Sequence, residues 1–224
     1  MISMDRGQDV FTRIEEFVLA YPKQVATIVG GILVVIVGIL AYRNFYLKPM
    51  NERAQNQIWR SIQYFQIDSF NLALNGDGLY PGFLQIIDRY GGTAAANTAS
   101  YYAGLSYLKL GMYDEAIKYL EDCDFDEPFF ETLRLKAIGD AYAEKEDYKK
   151  ALKWYAKAMK AAPNDLTTPE LYRLIGLMNE RLGNLEDALI YYTKLREEYG
   201  NSVEGLYAEK YIGRVKAALK REKI

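Results

Sequence analysis

Near its N-terminus the chain carries one long apolar segment, and beyond it apolar and polar residues alternate with helical spacing. Residues 25–42 are 18 consecutive residues without a charged side chain. In an α-helix, which rises about 1.5 Å per residue, this run would be about 27 Å long, close to the ~30 Å hydrocarbon layer of a bilayer. Because the run is apolar on every face, it predicts a transmembrane helix within residues 24–46 rather than the core helix of a soluble domain.

The flanks of this segment favour a retained anchor over a cleaved signal peptide. No small-x-small cleavage site follows Leu40, and aromatic side chains bracket the run, as they do at membrane interfaces. In the preceding tail, residues 1–23, apolar residues recur with helical spacing, which indicates either a short amphipathic helix on the membrane surface or an extension of the anchor. The recurring apolar residues are Val10, Ile14, Phe17, Val18 and Tyr21.

After residue 96 a pattern of small residues recurs three times. Gly104, Gly139 and Gly176 are separated by 35 and 37 residues, and an alanine follows each glycine by 12 residues. Each unit is predicted to be two antiparallel helices joined by a tight turn, with the small residues allowing close approach. We expect Pro128 and Pro163 to end the second helices of the first two units, because proline lacks an amide donor. One hairpin cannot bury its apolar face alone, so the units should stack.

This pattern resembles the tetratricopeptide repeat, in which a Leu-Gly pair, a tyrosine, an alanine and a proline recur about every 34 residues. The second unit carries the pattern best, whereas the third lacks the tyrosine and the proline. The resemblance implies an all-α fold, in which a right-handed α-solenoid follows one transmembrane helix. The residues that define the repeat are Gly104, Tyr107, Ala116, Pro128, Gly139, Tyr142, Ala151, Pro163, Gly176 and Ala188.

The repeats organise the rest of the chain. Residues 97–201 hold three repeats, and residues 202–224 predict a last helix, capped by Ser202, that covers the exposed end of the stack. Residues 47–96 have helical apolar spacing that is interrupted around Asn75 and Asp77, which indicates a degenerate helical repeat split by a turn. These two side chains are too few to predict a metal site.

Composition excludes several classes of function. The net charge is −2 and no region is basic, so nucleic-acid binding is not expected. The chain has no histidine and one cysteine, Cys123, which removes the commonest general base, zinc ligand and nucleophile pairs. We therefore predict a protein that is not an enzyme and that holds no cofactor or metal. Cys123 aligns with Ala158 of the next repeat, so we expect a small buried residue of a second helix rather than a reactive thiol.

The inner face of a tetratricopeptide superhelix is lined mainly by the first helix of each repeat. Counting from each glycine, the positions three before, one after and four after should point inward. The result is a groove that is apolar at one end and mixed in charge at the other. Tyr101 and Leu105 stand where a carboxylate clamp needs a cation and an asparagine, so an extended or helical apolar peptide fits better. The predicted groove residues are Tyr101, Leu105, Leu108, Lys136, Asp140, Ala143, Arg173, Leu177 and Glu180.

The order of tail, membrane helix, degenerate repeat and three tetratricopeptide repeats resembles the ancillary SecYEG translocon subunit family of Gram-negative inner membranes. The resemblance implies a single-pass inner-membrane protein, with membrane lipid around its span. It also implies a periplasmic solenoid that contacts translocon subunits, periplasmic chaperones or exported chains. The lysines and arginines beside the span slightly favour a cytoplasmic C-terminal side, but long domains translocate largely regardless of charge. A self-associating structural scaffold of an envelope assembly is the alternative, and homo-oligomerisation stays open.

Overall fold

The computed structural model describes residues 15–17 and 19–222, and the chain divides into two compact units, Met1–Glu52 and Arg53–Ile224. Of the amphipathic segment predicted in the tail, Val10, Ile14 and Val18 lie outside the described residues. Residues 15–17 and 19–20 are helical, and the rings of Phe17 and Tyr21 contact each other at 5.3 Å between centroids. The choice between a surface helix and an extension of the anchor stays a prediction.

In the first unit, helix α1 (Pro22–Tyr42) contains the predicted transmembrane segment. Pro22 lies in the first turn of α1. Proline has no backbone N–H, and this is tolerated there because the first N–H groups of a helix have no acceptor within the helix. The described part of the chain buries none of the residues of α1, and Val34 is 72% exposed. Among the described residues, one helix is long and apolar enough to cross a membrane, and α1 supplies its apolar part. A π-helical segment, Arg43–Leu47, follows α1.

The segment predicted to be a degenerate repeat contains three helices, α2 (Lys48–Gln66), α3 (Phe70–Asn75) and α4 (Phe83–Tyr90). Asp77 organises the turn between α3 and α4. Its Oδ1 accepts hydrogen bonds from the backbone N–H groups of Leu79 and Tyr80 at 2.9 and 2.7 Å. Its Oδ2 accepts one from the hydroxyl of Tyr64 at 2.6 Å, and this bond is the main cause that lowers the pKa of Asp77. The interruption that the sequence shows here is therefore a hydrogen-bonded turn.

Three helical hairpins follow in the second unit. They are α5 (Ala94–Lys109) with α6 (Tyr113–Glu121), α7 (Pro128–Glu144) with α8 (Tyr148–Ala161), and α9 (Thr168–Arg181) with α10 (Leu185–Tyr199). Each helix contacts the helices before and after it in the chain, so the hairpins stack in sequence order. The predicted all-α fold, in which tetratricopeptide-type hairpins follow one long apolar helix along the chain, is confirmed.

Each hairpin closes around a glycine of its first helix. A Cβ atom placed on Gly104 would lie 2.5 Å from Cγ of Leu120, which is closer than two carbon atoms approach. Cβ atoms on Gly139 and Gly176 would lie equally close to the rings of Tyr155 and Tyr192. We call this contact the glycine notch. The alanines of the second helices, Ala116, Ala151 and Ala188, are completely buried. Small residues in both helices thus let the two backbones come close together.

The turns of the three hairpins also share one backbone conformation. Each turn has three residues, and the central residue has a positive φ: +75° at Gly111, +58° at Glu146 and +78° at Gly183. The first and third turns use glycine, which adopts this left-handed region without steric strain. The second turn places a glutamate there, and a residue with a Cβ atom is strained by roughly 1–2 kcal/mol in that conformation.

Two of the local predictions were wrong. Pro128 does not end α6, which stops at Glu121; it is the first residue of α7, where proline fits because the first turn needs no amide donor. Cys123 does not lie within the second helix of its hairpin either. It follows the end of α6, although it is buried as expected, and burial raises the pKa of its thiol to about 12. Pro163 stands two residues after α8, where the sequence places it.

The end of the stack is covered by a short 3-10 helix, Gly205–Tyr207, and by α11 (Ala208–Glu222). Oγ of Ser202 accepts a hydrogen bond from the N–H of Gly205 at 3.0 Å, so Ser202 caps the 3-10 helix rather than α11 directly. Ile212 and Val215 of α11 belong to the same buried cluster as Ala188. The last helix thus shields the apolar face of the third hairpin from water.

Candidate protein-binding groove

The first helices of the three hairpins supply the residues of the predicted groove. All nine positions are half-buried, whereas the glycines from which they were counted are fully buried between helices. The register therefore places these side chains at the boundary between the packed core and the surface.

At the first hairpin the groove residues also support the fold. Tyr101 and Leu105 pack against the buried Leu120 and Ile138, where the first hairpin meets the second. The ring of Tyr101 lies edge-on to that of Phe125, with 5.5 Å between centroids. Burial raises the pKa of Tyr101 to about 12. A substitution of Tyr101 would thus disturb the packing between hairpins as well as any ligand contact.

A cavity of about 490 Å³ opens where the three hairpins meet. It brings together four of the predicted groove residues, Leu108, Asp140, Ala143 and Leu177, one or two from each first helix. The remaining lining residues are Lys109, Tyr113, Glu144, Tyr155, Leu174 and Met178. Its walls combine aliphatic side chains with a few charged groups, which is the usual character of a site that takes an apolar side chain and orients its backbone.

The charged groove residues of the second hairpin, Lys136 and Asp140, are already paired. Nζ of Lys136 lies 3.0 Å from Oδ2 of Asp140 and 3.1 Å from Oε1 of Glu170. Burial opposes the charge of Lys136, but the two carboxylates outweigh burial and raise its pKa. The hydroxyl of Tyr155 donates a hydrogen bond to Oδ1 of Asp140 at 2.8 Å, and its pKa is raised, mainly by burial and then by Asp140. Lys136 is therefore neutralised within the chain and would attract a ligand carboxylate only weakly.

The charged groove residues of the third hairpin, Arg173 and Glu180, also have partners within the chain. Arg173 lies 4.0 Å from Glu170, at the limit of an ion pair. Glu180 accepts a hydrogen bond from Arg214 of α11 at 2.9 Å, so the terminal helix is tied to the groove face. Burial, followed by the charge of Glu180, raises the pKa of Tyr192. These contacts hold the charged end of the groove in one arrangement.

Sequence reasoning missed the partners of these groove residues. Glu170 lies one helical turn before Arg173, so extending the inward stripe by one turn would have found it. Tyr155 follows Gly139 by 16 residues, as Leu120 follows Gly104, so its position in the repeat could be read from the sequence. That spacing gives no sign that its hydroxyl reaches Asp140. Arg214 belongs to a different element, and no spacing in the sequence relates it to Glu180.

Two family models of the tetratricopeptide repeat match the chain, at residues 98–123 and 131–197. Together these stretches contain all of the predicted groove residues. The chain therefore contains tetratricopeptide repeats, a fold that mediates protein–protein interactions. The comparison with curated proteins finds no match to the chain.

Proposed function

We propose that the chain is a membrane-anchored scaffold that binds other proteins through its tetratricopeptide groove and catalyses no reaction. The observation that carries the proposal is the cavity of about 490 Å³ shared by the first helices of three hairpins. Leu108, Leu174 and Leu177 give it aliphatic walls, while Asp140 and Glu144 provide acceptors at its edge. Such a surface suits an apolar side chain of an extended or helical segment.

The long apolar helix near the N-terminus supports a membrane location for the scaffold. Helix α1 exposes apolar side chains on all sides, an arrangement that is stable in lipid and unfavourable in water. With the order of the elements, this supports an accessory subunit of the Sec protein-export translocon or an adaptor of envelope chaperones in the inner membrane. The partners are then translocon subunits, periplasmic chaperones or exported chains, and the second unit is periplasmic.

Photocrosslinking in intact Gram-negative cells tests the groove. A photoreactive side chain at Leu177 should give adducts with a translocon subunit, a chaperone or an exported chain. The same probe at Lys149, which is exposed on the second helix of its hairpin, should give none. Adducts that contain only a second copy of the chain would support the self-associating scaffold instead. Equal adducts from Leu177 and Lys149 would mean that the groove is not the binding surface.

The membrane side is tested by labelling. Leu79 is 80% exposed in the turn after α3, so Leu79→Cys should react with an impermeant maleimide in intact spheroplasts. The native Cys123 is buried with a raised thiol pKa, and it should stay unlabelled in the parent chain, which is the control. Labelling only after lysis would place the second unit in the cytoplasm.

A further inference from the structure

Aromatic side chains form a row at the junction of the first and second hairpins, outside the cavity described above. Phe125, in the loop between α6 and α7, lies edge-on to Tyr101 and 6.0 Å from the ring of Phe130. Phe130 contacts Phe129 at 5.7 Å. Although phenylalanine has no polar group to present to water, Phe130 is 49% exposed. The row therefore includes a ring, that of Phe130, about half of which the described chain leaves open.

The same segment is strongly acidic. Residues 121–131, here named the acidic loop, carry six carboxylates and no cation. Glu131 is the one that is neutralised, because Arg134 donates two hydrogen bonds to it at 2.7 and 2.6 Å. Arg134 makes one more hydrogen bond, in which its Nη1 donates to the backbone oxygen of Leu120 at 2.7 Å. Among the described residues, the other five carboxylates of the loop form no ion pair: Glu121, Asp122, Asp124, Asp126 and Glu127.

The acidic loop is fixed beside a second cavity of about 450 Å³. Asn97 of α5 holds the loop, because its side-chain amide donates to the backbone oxygen of Asp124 and accepts from the backbone N–H of the same residue. Asp122, Asp124 and Asp126 all line the cavity. The three aspartates face this cavity, whereas the phenylalanine rings lie outside it. The charges and the ring surface nevertheless belong to one segment, which Asn97 ties at its centre.

We propose that this surface binds a segment of another protein in which lysines or arginines stand beside apolar residues. A cationic side chain can pair with the aspartates, and an apolar neighbour in the same segment can cover the exposed ring of Phe130. The charge of the loop selects this occupant, because an acidic peptide, a nucleic acid or an anionic lipid headgroup would be repelled. The inference goes beyond the proposed function, since the surface shares no residue with the cavity of the groove.

Fluorescence anisotropy with the full chain in nonionic detergent tests this surface. The probe is a short labelled peptide of alternating lysine and leucine or phenylalanine, compared with the same peptide carrying glutamate in place of lysine. Only the lysine peptide should bind. Asp122→Asn, Asp124→Asn and Asp126→Asn together should weaken its binding at least about tenfold and remove most of its salt dependence. Phe130→Ala should weaken it about fivefold, since the ring is half exposed and its removal leaves the core intact.

Matched controls distinguish the loop from general effects. Asp165→Asn, Glu186→Gln and Asp187→Asn change the net charge equally at exposed positions elsewhere, and Leu166→Ala removes an exposed apolar side chain. Both controls should bind the peptide like the parent chain. Equal weakening by the two charge triples would overturn the proposal in favour of bulk attraction. Weakening by Leu177→Ala to the same extent would place the peptide in the groove, and a change in the chain's own sedimentation by Phe130→Ala would identify a second copy as the occupant.

Discussion

The first and second hairpins fill the same glycine notch with different side chains. Leu120 lies against Gly104, and Tyr155 lies against Gly139, each at a distance that excludes a Cβ atom on the glycine. The leucine ends inside the notch. The tyrosine continues beyond it, and its hydroxyl reaches Asp140 on the groove face at 2.8 Å. In the second hairpin the packing of the core is therefore connected to the charged pair of the groove, whereas in the first hairpin it is not.

This difference shows that the side chain in the notch must fit the space beside the glycine, but that it can be apolar, as Leu120 is, or carry a hydroxyl, as Tyr155 does. A tyrosine there needs a partner for its hydroxyl, because an unsatisfied polar group inside the protein is costly. Asp140 provides that partner and in turn orders Lys136. The groove residues of the first hairpin, such as Leu105, have no such requirement and remain apolar. The charge pattern along the groove thus follows partly from the core of each repeat.

The largest effect is expected when the second hairpin is made to resemble the first. Tyr155→Leu removes a buried ring and leaves Asp140 without its hydroxyl donor, so we expect a loss of about 2–4 kcal/mol in the free energy of unfolding. Urea titration of the full chain in nonionic detergent measures it. Tyr155→Phe is the control that keeps the ring, and it should lose only about 1 kcal/mol. If the two variants are equally stable, the ring contributes nothing and the comparison between the hairpins fails.

The glycines of the two notches should respond differently to one added methyl group. Gly139→Ala places a Cβ atom 2.5 Å from Cε1 and 2.6 Å from Cδ1 of Tyr155, a ring that is also held by Asp140. We expect a net loss of about 1–3 kcal/mol, after the better helix propensity of alanine is counted. Gly104→Ala should cost about 1 kcal/mol less, because Leu120 is smaller than a tyrosine and its displacement breaks no hydrogen bond, although the new Cβ would also lie 3.1 Å from the backbone oxygen of Ala116. A larger loss for Gly104→Ala in the same titration would contradict the rigid second notch.

The smallest effect concerns the turns. Glu146 has the left-handed conformation that Gly111 and Gly183 supply in the first and third hairpins. Glu146→Gly should therefore raise the free energy of unfolding by about 0.5–1 kcal/mol, since relief of strain exceeds the added entropy of the unfolded chain. The reverse change, Gly183→Glu, should lower it by a similar amount. Thermal unfolding followed by circular dichroism compares the variants, and a lower melting temperature for Glu146→Gly would disprove the strain.

Much of the fold could be predicted because its determinants are local. The apolar run of α1 needs only its own length and composition to indicate a membrane helix. The spacing of Gly104, Gly139 and Gly176 locates the hairpins, and their turns fall where the sequence places them. The wrong role of Pro128 has a local cause as well: proline suits both the end of one helix and the start of the next, and the sequence between them does not distinguish the two.

The tertiary structure alone decided the contacts between helices and loops whose positions are not related by the repeat spacing of the sequence. The sequence by itself determined that each first helix presents a half-buried stripe, because 3.6 residues per turn fix which side chains share a face. It did not determine that Lys136 joins Glu170 of the next hairpin or that Glu180 joins Arg214 of α11. Nor did it bring Tyr101 and Phe125 into one aromatic row beside the acidic loop. Such contacts depend on how neighbouring helices are offset and on where a loop is tied, and those distances are set by the packing of the whole stack.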